Sequence, residues 1–401
     1  MPFFAQTQPA PDDPILGLNA LFLADPRPEK VNLGIGIYYD ENGHIPLLPS
    51  VKAVEAHIVD QGQPHSYLPI DGLASFNQAT LNLVFGSQTA LIASGRGASL
   101  QTIGSSAALR IGAECLKMQL PHAHVTISQP SWDNHLAIFK AAGFNVRPYR
   151  YYDPASHGID FDGMIDDLSQ LKRASVVLLH ACCHNPTGAD LSQAQWRRLA
   201  QCLKEHQLFP FINMAYQGFG QGLDEDAFGA RVLAEEGVNT YFVANSYSKI
   251  FALYGERIGA LSIVTPDRCQ TDAVVSLAKQ VTRTFYSSPA LHGAQLVAGV
   301  LNSANDNAQW RDELTAMRNR LLTMRHRLVD RLTQLGQPSF GFIKAQSGMF
   351  SFSGLSAEQV NILRTSHGIY MTQNGRMCLA GLTMGNLDRV AAAIAALYAA
   401  H

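Results

Sequence analysis

No charge of either sign dominates this sequence. Lys and Arg number 30 against 32 Asp and Glu, a formal net charge of −2, and charged residues make up only 15% of the chain. A positive face for nucleic acid or for an anionic membrane surface is therefore not expected. Long apolar runs are missing too. The longest, the alanine-rich Val390 to Ala400, falls well short of a bilayer span, so no membrane association is expected. Met1 to Pro14 carries neither the positive charge nor the apolar core of a secretory signal, and none is expected there. Cysteine is scarce, with six in 401 residues, two of them adjacent at Cys182 and Cys183, which does not make a disulfide framework. What is present is apolar mass. At 47% hydrophobic residues the chain can bury a large core, in two domains or in one with a satellite, and a cytoplasmic location is expected.

No repeat, low-complexity tract or charge run breaks the chain. A Pro-rich start (Pro2, Pro9, Pro11, Pro14) reads as an extended arm lying on another surface. From about residue 90 to 265, short β-rich runs alternate with helical patterns. The runs are His124–Ser128, Ser175–Ala181, Phe209–Met214, Thr240–Asn245 and Gly259–Val264. The helical stretches include Ala107–Leu120, Asn134–Ala142, Ser192–His206 and Asp226–Glu236. This alternation predicts an α/β fold with a mainly parallel sheet flanked by helices. The last third predicts a smaller α+β domain: a long helix over Asn307–Leu335, short strands near Met349–Ser353 and Met377–Ala380, and a closing helix from Asn386. The expected division is an arm over 1–13, a large domain over 44–310, and a small domain from 14–43 with 311–401.

Four segments hold chemistry. Ser246-Tyr247-Ser248-Lys249 follows a strand, and Arg257 lies eight residues beyond the lysine. A lysine at a strand's end in an α/β sheet sits where ligands bind, and partial desolvation there favours its neutral, imine-forming state. The arginine and serine hydroxyls suit a phosphate dianion. Taken alone, the same lysine also fits a solvated surface residue. Gly104-Ser105-Ser106 opens a helix whose free N–H groups and dipole attract phosphate, or an ordinary Ser-capped helix. His180-Ala181-Cys182-Cys183-His184-Asn185-Pro186-Thr187-Gly188 invites a zinc reading. Side chains along a continuing strand would alternate faces, so no metal is expected; the Asn-Pro-Thr-Gly turn instead aims an amide into a crevice. Phe211 to Phe219 is an apolar strand ending in polar groups, with Asn213 and Tyr216 facing one cleft, or with Asn213 satisfied by backbone. Gly34-Ile35-Gly36 and Gly95-Arg96-Gly97 are incomplete dinucleotide fingerprints.

Together these segments resemble the aspartate/aromatic aminotransferases of fold type I. Asn-Leu-Gly-Ile-Gly at 32–36, Cys-Cys-His-Asn-Pro-Thr-Gly at 182–188, Ala-Tyr-Gln-Gly-Phe at 215–219 and Ser-Tyr-Ser-Lys at 246–249 fall in that family's order. The resemblance runs from Asp13-Pro14-Ile15 to Gly375-Arg376 and beyond. It implies a fold type I transferase dependent on pyridoxal 5′-phosphate (PLP), held as a Schiff base on Lys249. Lys249 would then move a proton between Cα and C4′ of the bound amino acid and cofactor. Ser105, Ser106, Ser246, Ser248 and Arg257 would grip the phosphate, with Tyr67 reaching it from a partner subunit. Trp132 would stack on the ring, and Asn185 and Tyr216 would bond its phenolic oxygen. Arg376, beside Gly36, would clamp the substrate α-carboxylate, and Arg283 of the other subunit would meet a second carboxylate. These roles imply a homodimer with shared sites, taking amino acids and 2-oxo acids. Tyr67 to Gly72, Tyr254 to Arg257 and Tyr286 to Pro289 look closer to the bacterial aromatic (tyrosine) aminotransferases.

The resemblance breaks at Asn213, where the family has an aspartate whose charge keeps the pyridine nitrogen protonated. His135, which supports that aspartate in the family, is still there. Ser105-Ser106-Ala107 also departs from the more usual glycine and threonine. Three readings follow: an aminotransferase active on aromatic or dicarboxylic amino acids, a PLP enzyme slowed or diverted by Asn213, and a non-catalytic homologue that binds PLP or amino acids.

Overall fold

The structure is a computed structural model and describes residues 3–9, 13 and 15–399. Pro2, Pro11 and Pro14 of the expected arm lie outside the described residues, while Phe3 and Phe4 are exposed. The centre is a seven-stranded sheet. In chain order its strands are β1 (Gly97–Thr102), β2 (His124–Gln129), β3 (Asn145–Arg150), β4 (Val176–His180), β5 (Phe209–Met214), β6 (Tyr241–Ser246) and β7 (Gly259–Val264). Their spatial order is β1-β7-β6-β5-β4-β2-β3. All neighbours are parallel except β7, which runs antiparallel to both β1 and β6.

Continuous apolar runs such as Val176-Val177-Leu178-Leu179 form central strands because both faces are covered. Val176 and Leu178 pack with the helices Ser105–Gln119, Asp133–Ala141 and Arg268–Phe285 on one face. Val177 and Leu179 pack on the other, against Gln193–Glu205 and Phe228–Glu235. The expected helix over Asp226–Glu236 is two pieces, Leu223–Asp226 and Phe228–Glu235. The Asp226 carboxylate accepts N–H bonds from Gly218, Gly220 and Gln221, so it serves the loop after β5.

The long helix spans Ala304–Gln334, with the Ser303 hydroxyl accepting from Asp306 N–H as its N-cap. Trp310, Leu314, Met317 and Leu321 pack in the core beneath the end of the large sheet. Met324, Leu328, Val329 and Leu332 join a second core with Val31, Leu33, Ile369, Met377 and residues of the closing helix Leu387–Ala399. Two small pairs complete that part: Val31–Asn32 beside Ile369–Tyr370, and Phe350–Phe352 beside Arg376–Cys378. No helix among the described residues is long and apolar enough to cross a membrane.

Topology places the site. β2 connects to β3 on one side and the chain then returns to β4 on the other, so the strand order reverses between β2 and β4. Their pairing covers only Val125–Val176 and Thr126–Val177. Ligands of open α/β sheets bind at the carboxyl ends of strands flanking such a reversal.

Candidate active site

A cavity lies there, lined in part by Gly36, Ser105, Trp132, Asn185, Asn213, Tyr216, Lys249 and Arg376. Four of the parallel strands deliver a residue just past their ends: Trp132 after β2, Asn185 after β4, Tyr216 after β5 and Lys249 after β6. Gly36 and Arg376, from segments near the two ends of the chain, also line the cavity.

Lys249 is half-buried, its Nζ 5.3 Å from the centre of the Tyr216 ring. Desolvation first, then the positive charges of Arg257 and Arg376, lower its pKa from 10.5 to about 8. The surface-lysine alternative therefore fails. Burial pushes the Tyr216 hydroxyl well above its ordinary range, keeping it a proton-bearing donor.

Beside the lysine is an anion cradle. The helix Ser105–Gln119 starts at Gly104 (φ +83°, ψ 169°) with no side-chain cap bond, so its first N–H groups are left for a ligand. The Ser-capped alternative fails with it. Arg257 holds a left-handed backbone (φ +52°), rare for a bulky residue, and its guanidinium lies over Gly104. A Cβ added at Gly104 would come within 2.7 Å of Arg257 Nη2, so a side chain there would fill the cradle. Arg257 Nη1 donates to Ser248 Oγ (3.3 Å), and Ser246 Oγ accepts from Ser248 N–H (3.3 Å).

Arg376 is a second anion receptor, of a different kind. It is buried, its Nη2 donates to Gly34 O (2.6 Å) and its Nη1 to Asn185 Oδ1 (3.2 Å), while Nε has no partner. The guanidinium stacks 4.3 Å from the Phe350 ring centre. Burial lowers its pKa, and its two hydrogen-bond partners are a backbone carbonyl and an amide oxygen rather than a carboxylate. A buried guanidinium without a counter-ion is costly alone and accepts a carboxylate readily.

Asn213 is buried next to the end of β5. Its Nδ2 is 2.8 Å from His135 Nε2, while its Oδ1 is buried with no partner. The alternative in which backbone satisfies this amide does not hold. His180, opposite Asn213 on β4, also lines the cavity with an unpartnered Nε2. In the sequence His180 stands out only as a metal ligand, and nothing local marks it, Ile15, Ala215 or Phe350 as cavity lining. With Arg376 Nε, that makes three polar side chains with an unsatisfied atom in one cavity, a signal that only three-dimensional accounting reveals.

Other expected residues lie off this cavity. Ser106 is half-buried in the first turn of its helix, while Ser246, Ser248 and Arg257 form the cradle rather than the cavity wall. Tyr67 is 95% exposed and Arg283, paired with Ser287, is exposed in the last turn of Arg268–Phe285. Neither reaches the cavity of its own chain. The strand alternation expected to separate Cys182 from Cys183 also fails, because β4 ends at His180 and Cys183 turns back with φ +51°. Both thiols and the Asp226 carboxylate lie within 4.8 Å of one another, although that carboxylate already accepts three backbone N–H bonds.

An amine of lowered pKa beside an uncapped helix N-terminus and a buried guanidinium, at a sheet's carboxyl edge, suits an α/β enzyme acting on acidic small molecules. The chain belongs to the class I and II aminotransferases, whose family model matches residues 28–394. It is 49% identical over 395 residues to an aspartate aminotransferase of Pseudomonas aeruginosa, covering 98% of this chain and 99% of the relative. It is 46% identical to the aromatic-amino-acid aminotransferase of Escherichia coli, covering 96% and 97%. The crystal structure of the aromatic-amino-acid aminotransferase of Burkholderia pseudomallei, covalently bound to pyridoxal phosphate, superposes with TM-score 0.96 at 48% identity, covering 99% of this chain and all of that one. The fold is thus the fold type I architecture, and the chain is an aminotransferase. Neither the diverted nor the non-catalytic reading gains support from these relatives.

Proposed function

We propose that this aminotransferase moves amino groups between aromatic or dicarboxylic L-amino acids and 2-oxo acids, with PLP on Lys249. The observation that carries the reading is the reactive Lys249 amine set between the Arg257 cradle and the buried, counter-ion-free Arg376. The residues present fit the cofactor. An uncapped helix N-terminus and an arginine suit its phosphate, and the unsatisfied Asn213 and His180 suit a polar ring. Relatives acting on aspartate and on aromatic amino acids support both substrate classes.

When bound, the cofactor's carbonyl condenses with amines and its ring withdraws electrons from the substrate Cα. The protein supplies the rest. Lys249 would hold the cofactor and would take and return the Cα proton, as a neutral amine can near pH 8. Arg376 fixes the α-carboxylate beside Gly36 with two parallel N–H donors, orienting Cα. Asn185, whose Oδ1 is held by Arg376, keeps Nδ2 free to donate, and Tyr216 donates its hydroxyl. Trp132 offers an aromatic face, and Ser105, Ser106, Ser246, Ser248 and Arg257 hold the phosphate. Tyr67 and Arg283, exposed and off their own cavity, serve the site of a second copy in a homodimer. We keep the division into arm 1–13, large domain 44–310 and small domain 14–43 with 311–401, the long helix serving both cores. Six free thiols, five of them buried, suit the reducing cytoplasm. The test is a half-reaction with glutamate, aspartate, tyrosine or phenylalanine, followed by cofactor absorbance. Conversion is expected with a member of each class; no conversion with any of the four refutes the reading.

A further inference from the structure

The cavity that receives the cofactor holds no carboxylate. Among the described residues lining it, Lys249 and Arg376 are cationic and none is Asp or Glu. Arg257 adds a third positive charge nearby. The histidines do not change this balance. His135 is buried and His180 half-buried on the side of Asn213, and desolvation keeps both neutral. At the bottom of this positively biased space stands Asn213, a neutral amide with one end on His135 and the other end free.

We propose that Asn213 holds the cofactor's ring nitrogen in its neutral, unprotonated form, donating an amide N–H to the nitrogen lone pair while the amide oxygen accepts from His135. The proposal rests on the PLP reading above and goes beyond it. A half-turn of the Asn213 amide exchanges its oxygen and nitrogen without moving any other atom. His135 accommodates either orientation. Its Nδ1 lies 3.0 Å from Ser131 Oγ, and a serine hydroxyl can donate as well as accept. With Ser131 donating, His135 carries its proton on Nε2 and meets the amide oxygen. Asn213 then turns its NH2 into the cavity, where only a lone pair can satisfy it.

Charge selects between the two arrangements. A protonated ring would require Asn213 Oδ1 as acceptor and would place another cation near Arg376 and Arg257, with no anion on the cavity wall. The phosphate's charge is matched elsewhere, by Arg257 and the helix N-terminus. The unprotonated ring adds no charge and satisfies the amide left open in the cavity. The consequence for the reaction is a weaker electron sink at the ring, which slows proton removal from Cα relative to a site with a carboxylate at 213.

The experiment loads apoprotein with PLP carrying 15N at the ring nitrogen and records its resonance from pH 6.5 to 9. Borohydride reduction and mass spectrometry confirm loading on Lys249. The expected resonance is that of a hydrogen-bonded, unprotonated pyridine, constant across the range. Asn213→Asp should move it by the full pyridine-to-pyridinium shift, and Asn213→Ala should move it the opposite way, to the position of a pyridine without a donor. A pyridinium resonance in the unmodified protein overturns the proposal, as does an Asn213→Ala resonance identical to it. Failure of Lys249 to form a reducible adduct refutes the PLP reading instead.

Discussion

The lowered pKa of Lys249 has a consequence that can be measured residue by residue. At a pKa of about 8 roughly 10% of the amine is neutral at pH 7, against about 0.03% for a lysine at 10.5, a gain of about 300-fold in nucleophile. Reductive methylation of the apoprotein with formaldehyde and cyanoborohydride reads this directly, because only the neutral amine reacts. Peptide mass spectrometry follows Lys249, with the exposed Lys140 and Lys172 controlling for reagent strength. The labelling rate of Lys249 should rise with pH and level off above an inflection near 8. Desolvation is the main cause and the neighbouring arginines the lesser one. Arg376→Gln, which removes one positive charge, should therefore raise the inflection by less than about one unit. An inflection near 10.5 in the unmodified protein would refute the reasoning, since it would mean that the cavity does not desolvate the amine.

Arg376→Ala removes the buried partner of the substrate carboxylate, which costs about 2–5 kcal/mol. That corresponds to a fall of roughly 30- to 5,000-fold in kcat/KM for each amino-acid substrate, read from half-reaction rates. Gly104→Ala forces a side chain into a backbone region nearly closed to other residues, at about 1–3 kcal/mol, and against Arg257 Nη2. PLP affinity, measured by equilibrium dialysis, should fall about tenfold or more. Acid should destabilise the fold before its surface carboxylates titrate. Desolvation keeps His135, His180 and His184 neutral with folded pKa values below 6.5, so their contribution is intact above pH 6.5 and is lost as pH falls, because the unfolded chain binds their protons. Asp190, raised to about 6, takes up a proton in the folded state and offsets one of them. The net effect is at most about 2.7 kcal/mol per pH unit below 6, seen as a falling urea midpoint.

Five of the seven central strands are legible as apolar, β-branched runs bounded by turns, and each matches within two residues at either end. β1 and β3 are not legible in this way. Gly97-Ala-Ser-Leu-Gln-Thr102 is too polar to announce a strand, and Ser99 is satisfied only by meeting Ser262 of β7. β3 is a largely exposed edge strand carrying Pro148. The antiparallel course of β7 was not readable either, since a strand's direction depends on how the chain returns to the sheet.

Chemistry carried by residue type was already visible in the chain: a lysine after a strand, a glycine-serine helix start, an arginine near the C-terminus, and an order of motifs that one family shares. Residue identity and local spacing are one-dimensional properties, so the sequence determined them alone. Folding decided which groups share a cavity and which are left unsatisfied. Asn185 and Arg376 meet across 191 residues, and His180 faces the cavity beside an amide with an open end. Burial, desolvation and the net charge of a pocket are sums over neighbours brought from distant segments, and no local pattern encodes such a sum.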